Sequence, residues 1–255
     1  MSYTFHANGF SLEYIKSIAD ADVLWENHCH TQFEMIAVLD GDISITLEGR
    51  NYRLTENQTV IIPPLSYHTI TANKKGLYRR ITAMFDISAI PESLRQIFEK
   101  KNNEIAVFSS SQIKDLKSIC LEEDTEFYAP LAHSLMIQIL YSDARSEHTN
   151  NENDEDGFLM KIISYVDAHL CEKIILDDLA KYTSRSKSSV CHLFEEKMKT
   201  SPKQYILQKK MAFAAKLIQD GTLPTQAAMQ IGYDNYSDFY RIYKKYFGES
   251  PAKRK

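Results

Sequence analysis

Four residues near the start of the chain have types and spacing that could do chemistry: His28, His30 and Glu34 in the pattern His-x-His-x3-Glu, and His68, five residues beyond Pro63. Imidazole and carboxylate together suit a divalent transition metal. The same four could line a pocket for a small-molecule effector, with Trp25, the only tryptophan, just upstream to stack on a sugar ring. They could equally be ordinary histidines of a strand pair.

A second group lies near the other end and suits nucleic acid. The run from Leu193 to Pro202 lines up with that from Ile242 to Pro251: an aliphatic-aromatic pair, an amphipathic turn, then Ser-Pro. Upstream of each, an alanine is followed four positions later by a turn residue, Ala180 then Ser184 and Ala228 then Gly232. A small residue at a close helix crossing and a turn residue after it are what a helix-turn-helix requires, so the chain carries two such units. The second helix of such a unit enters the major groove. If Val190, Leu193 and Phe194 face inward, Lys187, Ser188, Cys191 and His192 face out in unit one. In unit two, Phe239, Ile242 and Tyr243 face inward and leave Asn235, Tyr236, Ser237, Tyr240 and Arg241 outside. Arg241 can bond a guanine edge bidentately or clamp a phosphate. Asn235 can read adenine or cap its helix, and Ser186 is placed to cap the first recognition helix. Lys203, Lys209, Lys244 and Lys245 read as contacts to the DNA backbone.

The charge distribution supports that division. Residues 1–156 hold 13 Lys and Arg against 24 Asp and Glu, net −11, whereas residues 157–255 hold 17 against 10, net +7. A basic half joined to an acidic half fits a polyanion-binding domain on an acidic partner. The four cysteines, Cys29, Cys120, Cys171 and Cys191, have no CxxC spacing and suit a reducing cytosol. Without a signal segment or a long apolar run, a soluble cytoplasmic protein is expected.

The elements that must position these residues change character along the chain. From about Tyr14 to Phe85, short apolar runs such as Ile43-Ser44-Ile45-Thr46-Leu47 alternate with period two between turn signals, which predicts an all-β sandwich or barrel. After Phe85, Leu94 and Ile97, then Ile113, Leu116, Ile119 and Cys120, then Leu131, Leu135, Met136, Ile139 and Leu140 recur three and four apart, as on amphipathic helices. These stripes are either the domain's own core or a subunit contact. Ser142 to Asp156 has almost nothing apolar and predicts a flexible acidic linker. The expected division is an effector-binding and dimerisation domain over 1–142, a linker over 143–156 and a DNA-binding domain over 157–255.

The tandem units, joined by the helix-like run Pro202 to Gln219, resemble the DNA-binding domain of the AraC/XylS family of bacterial transcription regulators. The pattern of His28, His30, Glu34 and Gly41, with Pro63 and His68, looks like the two motifs of a cupin barrel, which precedes that domain in many members. The resemblance implies an α+β chain: a cupin-like β-barrel with flanking helices, then an all-α domain of two helix-turn-helix units. It also implies a homodimer that binds promoter DNA and a small-molecule effector, with RNA polymerase as partner if it activates, the commoner mode, and with no cofactor. The rival is a metal-dependent cupin enzyme, an isomerase or dioxygenase, with an accessory DNA-binding domain. The chain departs from the family pattern where Asn57 and Leu65 replace glycines, where Glu195-Glu196 stands opposite Lys244-Lys245, where Lys199 stands opposite Gly248, and where Pro224 opens unit two.

Overall fold

The computed structural model describes residues 2–7, 10–20, 27–100, 107–109, 111–120, 125–145 and 156–252. Its first half is built on strands β1 (Ser2–Ala7), β2 (Phe10–Ala19), β3 (Phe33–Asp40), β4 (Asp42–Leu47), β5 (Arg50–Thr55), β6 (Gln58–Ile62), β7 (His68–Ala72), β8 (Gly76–Phe85) and β9 (Val107–Ser109). They form a six-stranded sheet in the order β1-β2-β8-β3-β6-β9 and a three-stranded sheet in the order β5-β4-β7. Alternation decides the layers. Ile36, Val38, Val60 and Ile62 from the large sheet meet Ile43, Ile45, Leu47, Leu54 and Ile70 from the small one in one buried cluster, as period-two strands demand.

The opposite face of the large sheet is also buried, by helices α1 (Glu92–Lys100), α2 (Gln112–Cys120) and α3 (Thr125–Arg145). Ile113, Leu116, Ile119, Leu135, Met136, Ile139 and Leu140 pack there on Leu12, Met35 and Ala83. These helical stripes therefore belong to the domain's own core. Ile97 and Cys120 lie where side chains are outside the described set, and Leu131 of the same stripe stays half exposed. Helix α3 runs through Arg145 and α4 (Asp156–Ala168) starts at Asp156, so both helices reach into the expected linker. Ala144 and Arg145 are strong helix formers and continue α3; residues 146–155 lie outside the described residues.

The second half is all helical: α4, α5 (Leu176–Tyr182), α6 (Lys187–Leu193) continued by a π turn (Phe194–Met198), α7 (Pro202–Gln219), α8 (Pro224–Gln230) and α9 (Tyr236–Phe247). Helix α7 begins with Pro202 at its first turn and Ser201 capping Gln204 N. Buried on most sides, it divides the half into one cluster around Phe194 and Tyr205 and another around Phe239 and Tyr243. No helix among the described residues is long and apolar enough to cross a membrane.

Candidate nucleic-acid interface and histidine cluster

The two helix-turn-helix units are built alike down to single hydrogen bonds. Ala180 and Ala228 are buried at their crossings. Each is followed by a residue at positive φ, Ser184 at 54° and Gly232 at 82°. The turns then close identically, Arg185 N donating to Ala180 O at 2.9 Å and Tyr233 N to Ala228 O at 3.0 Å. The ends repeat as well, since Lys199 and Gly248 both take a left-handed conformation, φ 52° and 74°. Glycine does this freely and lysine at some cost, so the family's glycine is replaced in unit one without loss of the turn.

Helix α6 starts at Ser186, whose hydroxyl accepts from Ser189 N at 3.1 Å. Lys187, Ser188 and His192 are exposed and Cys191 is half-buried. Acids engage two of them: Lys187 is ion-paired with Asp177, and His192 Nδ1 lies 3.6 Å from Glu196. Helix α9 presents Tyr236, Ser237, Tyr240, Arg241, Lys244 and Lys245 to solvent, with Phe239 and Tyr243 fully buried beneath. Asn235 is its N-cap, Oδ1 accepting from Ser237 N at 2.8 Å. Arg241 Nη2 lies 3.0 Å from Asp238 Oδ1, an exposed pair that DNA can exchange at little cost.

Lys203 is exposed, but Lys209 is not available to DNA. Only 3% exposed, it places Nζ 2.9 Å from Glu48 Oε1, 2.8 Å from Asp167 Oδ1 and 2.8 Å from Leu65 O. This corrects its reading as a backbone contact: α7 is packed between two cores, and a lysine on a buried face of it must find acids there. Burial alone would discharge the amine, yet Glu48 and Asp167 outweigh it and hold the ammonium well above its usual range. Its neighbour Lys210 is buried too, bonding Ile231 O at 2.7 Å and Glu172 O.

Glu48 belongs to the strand domain, and with Gly49 it makes a two-residue hairpin turn with both φ positive, 47° and 78°. That turn enters the helical domain. Glu48 Oε2 accepts from Tyr205 OH at 2.7 Å, and a Cβ on Gly49 would stand 2.0 Å from Leu159 Cδ2. Tyr67 joins the helical core, its ring centroid 5.3 Å from that of Tyr205. Sequence reasoning missed Glu48, Tyr67, Asp167 and Tyr205 because they stand far apart in the chain. The detectable signal was Gln208-Lys209-Lys210 set between the apolar runs Tyr205-Ile206-Leu207 and Met211-Ala212-Phe213-Ala214-Ala215.

Beside this contact the structure gathers the histidines. An isolated antiparallel bridge sets His28 against His68, with His68 N to His28 O at 3.0 Å. Residues two apart in extended chain share a side, and the three rings cluster with centroids 4.4 Å (His28–His68), 5.1 Å (His30–His68) and 5.6 Å (His28–His30) apart. Glu34 enters from β3, its Oε2 3.1 Å from Nε2 of both His30 and His68. Burial alone would raise its carboxyl, but the imidazoles outweigh this and hold it well below the usual carboxylate range. For His68, burial opposes charge, and Glu34 outweighs burial and raises the imidazole. Trp25 lies outside the described residues. Asn57 and Leu65, standing where glycine is usual, both adopt positive φ, 62° and 61°. Asparagine tolerates this, whereas Leu65 is strained at the point where its N–H meets His30 O and its carbonyl meets Lys209.

A strand domain with a cluster of three histidines and a carboxylate, docked on two helix-turn-helix units with exposed polar recognition helices, has the parts of a transcription regulator that couples a ligand to DNA. Residues 10–160 match the AraC-like ligand binding domain and residues 179–254 a helix-turn-helix domain. The chain belongs to the AraC family of transcription regulators. It is 21% identical over 91% of its length to the HTH-type regulator YdiP of Escherichia coli, spanning 82% of that protein. It is 22% identical over 89% of its length to YobQ of Bacillus subtilis, spanning 88% of it. To the XylDLEGF operon transcriptional activator of Pseudomonas putida it is 26% identical over half its length, spanning 40% of that protein.

Proposed function

We propose that this regulator reads DNA with the outward faces of α6 and α9: Lys187, Ser188, Cys191 and His192 in unit one, and Asn235, Tyr236, Ser237, Tyr240, Arg241, Lys244 and Lys245 in unit two. The observation that carries this is the exposure of those polar faces on helices whose opposite sides are fully buried. The 18 residues of α7 between the units extend about 27 Å, of the order of the about 34 Å between successive major-groove turns. Its ligand sits among His28, His30, Glu34 and His68, and the chain is a cytoplasmic regulator and not an enzyme. It acts as a homodimer through the outer face of α3, where Leu131 and Tyr141 are about half exposed. Activation through RNA polymerase is favoured by the likeness to the Pseudomonas putida activator.

Selection of bound duplexes from a random pool tests the reading. The expected outcome is a defined motif, bound with an affinity that falls steeply with salt. Salt-independent binding or an unselective pool would overturn it. Sedimentation of the full chain tests the dimer, which Leu131→Lys should dissociate.

A further inference from the structure

We propose that a cavity beside α6 seats a phosphate of the DNA backbone on Arg185, so that unit one holds the backbone at the start of its recognition helix whereas unit two holds it at the end, on Lys245. This rests on the reading of α6 and α9 as the helices that enter the DNA grooves, and it adds where each is anchored to the strand beside it.

The cavity, about 260 Å³, is lined by Phe158, Arg185, Ser189, His192, Leu193 and Glu196. Ser189, Leu193 and Glu196 follow one another at steps of four and three, so they share one side of α6 and its π turn. That side is turned about 100° from Ser188, one position earlier, on the face that meets base edges. A helix in the major groove has a sugar-phosphate strand along each flank, so a cavity at that angle meets backbone rather than bases. Arg185 stands one residue before the N-cap Ser186. Its guanidinium carbon lies 5.4 Å from the centroid of the Phe158 ring, which holds it at the cavity's edge by cation-π attraction. Lys187, the other cation at this end, is ion-paired with Asp177. Among the described residues no carboxylate ion-pairs with Arg185, so its fork of donors can meet a phosphate without giving up a partner.

The charges along the two units run in opposite directions. Counted from the N-caps Ser186 and Asn235, the residue before the cap is Arg185 in unit one and Asp234 in unit two, the third after it is Ser189 against Asp238, and the tenth is Glu196 against Lys245. A helix dipole favours acids at the start and bases at the end. Unit two follows that rule, and its charges stabilise α9 by themselves. Unit one breaks it at both ends, so Arg185 and Glu196 gain nothing from the helix they flank. An exposed cation set against the dipole, resting on an aromatic ring and without an acid, has its use in an anion from outside. Glu196, 3.6 Å from His192, repels a phosphate from the other end of the cavity and so directs it to Arg185.

Backbone contacts carry no sequence information, but they fix the register and tilt of a recognition helix. Unit one, whose outward face offers Ser188, Cys191 and His192, is thereby anchored from beside its helix rather than through it. The two anchors fall at opposite ends of equivalent helices, so the phosphates contacted in the two halves of a bound site are placed differently about each helix.

The test uses the full chain and its selected duplex, with single phosphates replaced one at a time by uncharged methylphosphonate. Wild type is expected to lose at least fivefold in affinity at a few of these positions. Arg185→Ala, at an exposed site where the fold is kept by circular dichroism, should bind the unmodified duplex at least fivefold more weakly, with a salt slope lower by about one. It should also become indifferent to replacement at one or two of the sensitive phosphates. Lys245→Ala should become indifferent at different ones, and Glu196→Gln should bind at least twofold more tightly than wild type. The proposal is overturned if either alanine variant binds like wild type, if Arg185→Ala keeps its full sensitivity at every phosphate, if both silence the same phosphates, or if Glu196→Gln binds no more tightly. In each of those cases selective binding by wild type leaves the reading of α6 and α9 standing, whereas failure to select any duplex overturns that reading and the proposal together.

Discussion

Lys209 Nζ and Glu48 Oε1 stand 2.9 Å apart, both nearly sealed from solvent, and join the central helix of the DNA-binding half to a hairpin turn of the strand domain. The pair is completed by Asp167 and the carbonyl of Leu65 on the ammonium and by Tyr205 OH and Tyr67 N on the carboxylate, so Lys209 has three acceptors and both oxygens of Glu48 are bonded. Such a cluster fixes one docking of the two halves more than it adds stability.

Removing one partner should therefore cost more than removing both. Lys209→Met leaves the mostly buried Glu48 without its cation, held only by Tyr205 OH and Tyr67 N, and should destabilise the chain by about 3 kcal/mol, at the lower end of what breaking a buried pair costs because Asp167 is half exposed. Adding Glu48→Gln should restore part of that. Thermal unfolding of both variants checks this; an additive loss in the double variant would show that the pair does not couple.

Gly49 makes the same contact sterically. Its φ of 78° is one an L side chain rarely adopts, and an added Cβ would stand 2.0 Å from Leu159 Cδ2. Gly49→Ala should cost about 1 to 3 kcal/mol through overpacking. Leu159→Ala in the same chain should relieve the clash. Unfolding midpoints across this cycle measure it, and a Gly49→Ala loss indifferent to Leu159 would assign the cost to the backbone alone.

How much of this was visible in the sequence depends on distance along the chain. The helix-turn-helix units were legible because their determinants, Ala180 with Ser184 and Ala228 with Gly232, are local and repeat. The strands between Ile43 and Ile62 were legible because alternation is local too. The order His28, His30, Glu34, His68 marked a cluster, but only the bridge between His28 and His68 brings it together. The domain contact was not legible, since Glu48 meets Lys209 across 161 positions and no periodicity records that. Lys209 misled because a lysine in a basic domain looks like a phosphate contact until its helix is seen to be central.

Strong acid should loosen the small sheet. Arg53 bonds Asp42 at 2.7 and 2.9 Å and Asn73 adds a third bond, and with Arg53's the largest effect they hold the Asp42 carboxyl down to about 2. A depressed carboxylate stabilises the fold above its ordinary pKa near 4, and that contribution is lost as pH falls toward about 2. Arg53→Met should raise the pH midpoint of acid unfolding, modestly because the guanidinium is solvent-exposed. An unchanged acid midpoint would show that Asn73 and the backbone suffice to hold Asp42.

The two recognition helices should differ in weight. Helix α9 offers Arg241, in an exposed pair with Asp238, and two further exposed cations, Lys244 and Lys245, whereas α6 offers only Lys187, paired with Asp177, and His192, which faces Glu196. Asn235 has its carboxamide oxygen committed to Ser237 N, which leaves Arg241 as the strongest base reader of unit two. Arg241→Ala should cost about 1 to 3 kcal/mol on the selected site and relax preference at one base position. His192→Ala should cost less. If Arg241 only clamps a phosphate, the loss should be uniform over all sequences and the salt slope should fall by about one. Affinities of both variants over a panel of single-base changes decide between these, and a larger loss from His192→Ala would reverse the order of the two units.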